Sequence, residues 1–190
     1  MAKKYAKMLG FLGYILILIG TVLMNISPFF GIISVFGFIL AAIAWLDLGS
    51  RSCEKIMMGN GIFMLIFLAV AFILPVAALL FGNVKILVYG MLALLAITFA
   101  SLFFDLASHL RAYRRFKAKG FLLGFAFRIM GILFSIYLIS SLSALLRANT
   151  FNNVLELTSA FNKITPQVSA MAVVVVLANL FSALGFYELD

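Results

Sequence analysis

The stretch "MLGFLGYILILIGTVLMNISPFFGIISVFGFILAAIAWL", residues 8–46, holds no charged side chain. It divides into two apolar runs, 8–24 and 28–46, each within the ~17–25 residues that a membrane-spanning helix needs. The break has turn chemistry: Asn25 ends the first run, Ser27 is placed to cap the second, and Pro28 sits at its first helical position. A β-barrel strand would alternate apolar and polar residues over ~10 positions, and neither run does. The reading is two helices crossing a bilayer in opposite directions.

The rest of the chain repeats this reading. Of 190 residues, 66% are hydrophobic and 11% charged, with mean hydropathy +1.23. A soluble domain has about 25% charged residues, so this chain lacks the material for a water-facing surface. Further apolar runs fall at 56–81, 84–104, 121–146 and 167–187. The expected fold is all-α: a polytopic membrane protein, a six-transmembrane-helix bundle forming one integral membrane domain over 1–190. The N-terminal run follows Lys3, Lys4 and Lys7 as a signal peptide would. "TVLMNISPFF" offers no small-x-small cleavage site, so it reads as a retained first helix.

Charge sets the expected orientation. Segments 1–7, 47–55 and 105–120 carry ten of the fourteen Lys and Arg, and the opposite side carries Lys85, Arg147 and Lys163. Positive charge stays cytoplasmic, which places both termini inside the cell membrane. Within "FFDLASHLRAYRRFKAKGF", 103–121, the candidates for anionic-lipid contact are Arg111, Arg114, Arg115, Lys117 and Lys119, each contributing ~1 kcal/mol near a charged headgroup surface. One short loop is too small a basic surface for nucleic acid, so the expected partners are the bilayer and its anionic headgroups. The expected protein partners are a second copy of the chain or other membrane subunits.

The connection 147–166 is the longest. Phe151, Val154, Leu155, Phe161 and Ile164 share a helical face, so it reads either as a short interfacial helix or as an irregular loop. "KITPQV" repeats the capping device, with Thr165 and Pro166 opening the sixth helix, and Asn83 is placed to cap the fourth. Pro75 is placed to kink the third helix.

"WLDL" (45–48), "FFDL" (103–106) and "FYEL" (186–189) share one pattern, suggesting three related helical hairpins. Aromatics at the membrane interface explain the likeness equally. The acids in them, Asp47, Asp105 and Glu188, oppose the dipole at their helix ends. They read as rim residues pairing locally, with a coupled-ion site as the sharper alternative. Asp105 has His109 and Arg111 four and six residues on, and Asp47 has Arg51 four residues on.

Arg128 is the one charge well inside a run. Burial of arginine in lipid costs upward of about 2.5 kcal/mol, so it either snorkels to the interface or faces the bundle and pairs with Asp47, Asp105 or Glu188. Gly120, Gly124, Arg128, Gly131 and Ser135 form a stripe suited to close helix packing, as do Gly10, Gly13 and Gly20. The polar residues Asn60, Thr98, Ser101, Asn179 and Ser182 read as interhelical hydrogen-bonding groups. No carboxylate falls in the middle of an expected span.

One cysteine, Cys53, and one histidine, His109, leave no disulfide, Cys-cluster metal site or His-based ligand set. Nucleotide-binding and hydrolase motifs are missing. No cofactor and no catalytic activity are expected. The leading reading is a non-enzymatic scaffold or accessory subunit of a membrane complex. The alternative is a channel or facilitator for a small anion or neutral solute, with Arg128 lining the path.

"AKMLGFLGYILILIG", "NISPFFGIISVFGFILAAIAWLDL" and "CEKIMMGNGIFMLIF" resemble a family of small archaeal multi-pass membrane proteins without an assigned function. The resemblance covers roughly residues 6–70. It implies a membrane location and supplies no catalytic or binding residues.

Overall fold

Long apolar runs rich in Leu, Ala, Ile, Met and Phe, cut by few prolines, favour helices, and in lipid a helix satisfies every backbone polar group within itself. The computed structural model describes the backbone of residues 2–23, 26–81, 84–148 and 154–189, and side chains mainly over 4–73, 100–137 and 169–189. All its regular elements are helices: α1 (Ala2–Leu23), α2 (Gly31–Ser52), α3 (Lys55–Phe81), α4 (Val84–Phe116), α5 (Lys119–Ala148) and α6 (Val154–Tyr187). Among the described residues Lys4–Leu23, Gly31–Ser52 and Lys55–Ile73 are long and apolar enough to cross a membrane, and Ala172–Tyr187 is a shorter apolar helix. Exposed Phe29, Ile32, Phe36, Phe72, Phe103 and Leu133 make the outer surface apolar, as a surface facing lipid should be.

Each helix packs on its neighbours in the chain, and α6 returns to pack on α1. The six helices therefore form a closed ring of antiparallel neighbours. Glycines let the backbones approach. A Cβ on Gly13 would meet the backbone of Ala41 at 2.5 Å, and one on Gly20 would meet Ser34 N at 2.5 Å. Gly10 admits the Phe186 ring, so the glycines of α1 serve both its α2 and α6 contacts.

Boundaries differ from the sequence reading: α1 starts at Ala2 instead of 8 and α2 runs to Ser52 instead of 46, and three further differences bear on the site. The 105–120 segment is not a loop: α4 continues to Phe116, about 18 Å beyond residue 104 at 1.5 Å per residue. Leu, Ala and Arg are good helix formers, which a count of apolar residues overlooks. Lys117 then turns the chain with φ 58°, as Cys53 does after α2 with φ 56°, and each link into the next helix is only two residues. Second, Pro28 opens a 3-10 turn, Pro28–Phe30, in which Phe30 N–H bonds the Ser27 carbonyl. α2 starts after it, without a side-chain cap. Third, α6 begins at Val154 and runs through Pro166. Proline removes one i→i−4 bond, which does not by itself end a helix whose other residues favour it. The separate interfacial helix and the Thr165 cap are thus replaced by one long helix. Helix also continues through Pro75 in α3. Asn83 and the side chains of Ser135, Lys85, Arg147 and Lys163 lie outside the described residues.

Candidate functional site

The extension of α4 changes what Asp105 is. Arg111, on the same helix, bonds Glu54 at the α2–α3 link, Nε to Oε2 at 3.0 Å. Asp105 lies six residues deeper, about 9 Å along the axis. It is therefore inside the ring, not on its rim as a locally pairing residue would be.

Arg128 reaches it from α5. Its Nε donates to Asp105 Oδ2, and its Nη1 donates to Ser182 Oγ at 2.6 Å, the Ala178 carbonyl at 3.1 Å and the Gly124 carbonyl at 3.4 Å. The guanidinium carbon stands 5.7 Å from the Tyr14 ring centroid, within cation–π range. Of the three acids named from sequence, only Asp105 pairs with it. The arginine neither snorkels nor faces lipid, since 11% of its side chain is exposed.

Asp105 is held from two more sides. Asn60 Nδ2, on α3, donates to its Oδ1 at 3.3 Å. His109, one turn on, places Nδ1 2.8 Å from the Asp105 backbone carbonyl and 3.2 Å from Oδ1. A carbonyl only accepts, so Nδ1 carries a proton. His109 Nε2 lies 2.9 Å from Ser182 Oγ, which also stands 2.7 Å from the Ala178 carbonyl. One serine hydroxyl thus links the histidine, the arginine and the α6 backbone.

Beneath the ions, toward the basic end of the ring, lies a dry aromatic layer. Trp45 Nε1 donates to Tyr14 Oη at 2.9 Å. The Trp45 ring centroid is 5.0 Å from that of His109, 5.5 Å from Phe121 and 5.0 Å from Phe186. All five rings are at most 2% exposed. Trp45→Phe replaces the fully buried indole by a single ring and removes the donor to Tyr14, so it should lower stability by about 2 kcal/mol, read from chemical unfolding in micelles.

On the other side of the ions is a cavity of about 320 Å³. All six helices line it, and on five of them the wall residues lie on the side of the ionic layer away from the basic end: Ile17, Phe38, Met64, Leu102 and Val174 are examples. Asn60, Asp105 and Arg128 also line it and form a polar floor under an apolar wall. The floor carries no net charge, because Asp105 and Arg128 neutralise one another. Asn60 is fully buried, and its Oδ1 has no hydrogen-bond partner.

The other sequence candidates sit apart. Asp47 pairs locally with Arg51 at 2.6 Å, as expected of a rim residue. Glu188 accepts the Gly120 N–H at 2.9 Å, so α6 caps the start of α5 with a carboxylate. That placement favours the helix dipole of α5, and Glu188→Ala should cost about 1 kcal/mol in the same unfolding measurement. Arg111 and Arg115 share Glu54. Arg114, Lys117 and Lys119 are exposed at the same end. Of the glycine stripe, Gly120 and Gly124 meet neighbouring atoms closely, whereas among the described residues a Cβ on Gly131 meets Val174 Cγ1 at 3.8 Å.

Sequence reasoning missed His109, Asn60, Tyr14, Trp45 and Ser182 as members of one cluster. The i, i+4 spacing of Asp105 and His109 was the available signal, and it becomes informative only once α4 is known to continue past residue 104. Comparison with protein-family models, curated proteins and solved structures finds no match.

Proposed function

We propose that this chain is a multi-pass membrane protein that does not conduct: a closed helix ring serving as a scaffold or accessory subunit of a membrane complex, without catalytic activity. The observation that carries this is the aromatic layer of Tyr14, Trp45, His109, Phe121 and Phe186, which fills the ring below the ion pair. A solute path along the ring axis would have to pass through it. Protein reconstituted in phosphatidylcholine vesicles should raise neither anion nor small neutral-solute permeability above that of empty vesicles. Mild-detergent purification should recover a defined homo-oligomer or stable partner chains. Solute flux by a lone monomer would sink the proposal.

The alternative reading, a facilitator, draws on the cavity. A neutral solute suits it better than an anion, because the Arg128 charge is matched by Asp105 and its Nε and Nη1 donors are engaged. If Arg128→Ala leaves a measured flux unchanged, Arg128 is no selectivity element.

We place the basic end of the ring in the cytoplasm of the cell, with both termini there and with Arg114, Lys117 and Lys119 against anionic headgroups. Cys53, exposed and the single cysteine of the chain, lies at that end. A membrane-impermeant maleimide should label it in inverted membrane vesicles and spare it in intact cells. Labelling of intact cells alone would reverse the orientation.

A further inference from the structure

We propose that the cavity inside the ring is a binding site for a neutral, single-chain aliphatic alcohol, its chain along the apolar wall and its hydroxyl on the Asn60–Asp105 floor. This goes beyond a scaffold role and does not depend on it.

Size sets the first limit. A cavity of 150 Å³ holds benzene, so a cavity of about 320 Å³ takes roughly a dozen heavy atoms on the same scale. That is a medium-length chain and too little for a whole phospholipid. The wall sets the second limit: Ile17, Phe38, Met64, Phe67 and Val174 offer carbon and sulfur, with Ser101 and Asn179 as the polar members of the lining, so the body of the ligand is mainly hydrocarbon.

The floor sets the head group. Asn60 must turn its Nδ2 toward Asp105, because the reverse orientation would set two acceptors face to face. Its Oδ1 is thereby left as a fully buried acceptor without a donor. Beside it, the Asp105 side chain keeps 21% exposure. Two acceptors and a balanced ion pair select a neutral head that donates a hydrogen bond. They disfavour a carboxylate, which would add a second negative charge beside Asp105. A bare alkane would cover the open side of the Asp105 carboxylate without giving it a donor, and a polar group covered in that way costs its desolvation.

Gly131 is the independent sign that the space is kept open. Gly120, Gly13 and Gly20 each admit a neighbouring backbone, whereas Gly131 lines the cavity and, among the described residues, a Cβ on it comes no nearer than 3.8 Å to a neighbour, Val174 Cγ1. A side chain there would project into the room a ligand occupies.

Trp45 provides the readout, since it is the single tryptophan and its indole bonds Tyr14, which lines the cavity. The full chain in phosphatidylcholine nanodiscs is titrated with 2-bromodecan-1-ol, whose heavy atom sits next to the head. The expected result is saturable quenching of Trp45 over a linear background from alcohol dissolved in lipid. Unbrominated decan-1-ol should reverse the saturable part, with decane and decanoate each at least tenfold weaker as competitors. Gly131→Leu should abolish the saturable part and leave the linear one. Quenching that is linear throughout in the native chain overturns the proposal. So does equal competition by decanoate or decane, or an unchanged saturable phase in folded Gly131→Leu. Should that variant not fold, the competition series in the native chain decides alone.

Discussion

Arg128→Met is expected to destabilise the protein by about 3–5 kcal/mol, because it strands the Asp105 carboxylate inside the ring. The partners left to that carboxylate, Asn60 and His109, supply hydrogen bonds but not a permanent counter-charge. Asp105→Leu should cost a similar amount for the opposite reason. Arg128 would keep Ser182, Ala178 and Gly124, all of which solvate a cation without neutralising it. The double variant removes both charges and should be far less destabilised than the sum of the two. Unfolding of all four proteins in mixed micelles gives the cycle. Additive losses would show that the two side chains do not depend on one another, and the ionic layer would lose its place as the centre of the fold.

Gly120→Val carries the second large effect. A Cβ at this position would stand 2.2 Å from Gly185 N and 2.6 Å from Gly185 Cα. Backbone cannot rotate away as a flexible side chain can, so α5 and α6 must separate. Overpacking typically costs 1–3 kcal/mol, and the loss here should reach the upper end, about 3 kcal/mol or more. Separation would also lengthen the bonds from Arg128 to Ala178 and Ser182, coupling this contact to the ionic layer. Gly131→Ala is the control. It lies on the same stripe, but its Cβ would meet Val174 Cγ1 at an ordinary contact distance of 3.8 Å, so the change should be neutral or stabilising by up to about 1 kcal/mol from helix propensity. Equal losses at the two glycines would contradict the packing described for the α5–α6 contact.

That contrast shows what the sequence made legible and what it hid. Apolar run length identified six helices, because lipid leaves a long uncharged run few other options. The cost of exposing Arg128 to hydrocarbon left two escapes, snorkelling or pairing inside the bundle, and the structure takes the second. The identity of its partner did not follow, since Asp47, Asp105 and Glu188 share one local pattern. The structure gives those acids three roles: a rim pair with Arg51, an interior counter-ion, and a cap on α5. Their difference lies in which way each helix faces, and a nearly uniform apolar surface carries no moment to reveal it. Trp45 and Phe186 turn inward, whereas Phe103, at the matching place in "FFDL", turns outward. The end of α4 was hidden for a related reason: hydropathy marks where lipid stops, and the helix does not stop there.

The contact of α6 with both α5 and α1 has a consequence for how the protein is made. Helices enter the membrane in order as the ribosome delivers them, so α5 brings Arg128 into the bilayer before Ser182 and Ala178 exist. During that interval Asp105, already present on α4, is its available counter-charge. When α6 does arrive it supplies the Ser182 link, the cap on α5 and the Phe186 ring that seats in α1, all in one docking event. Completion of the six-helix ring is therefore concentrated in α6. A substitution that weakens α6 should show itself first as failed assembly in the cell, ahead of any change in the behaviour of the finished protein.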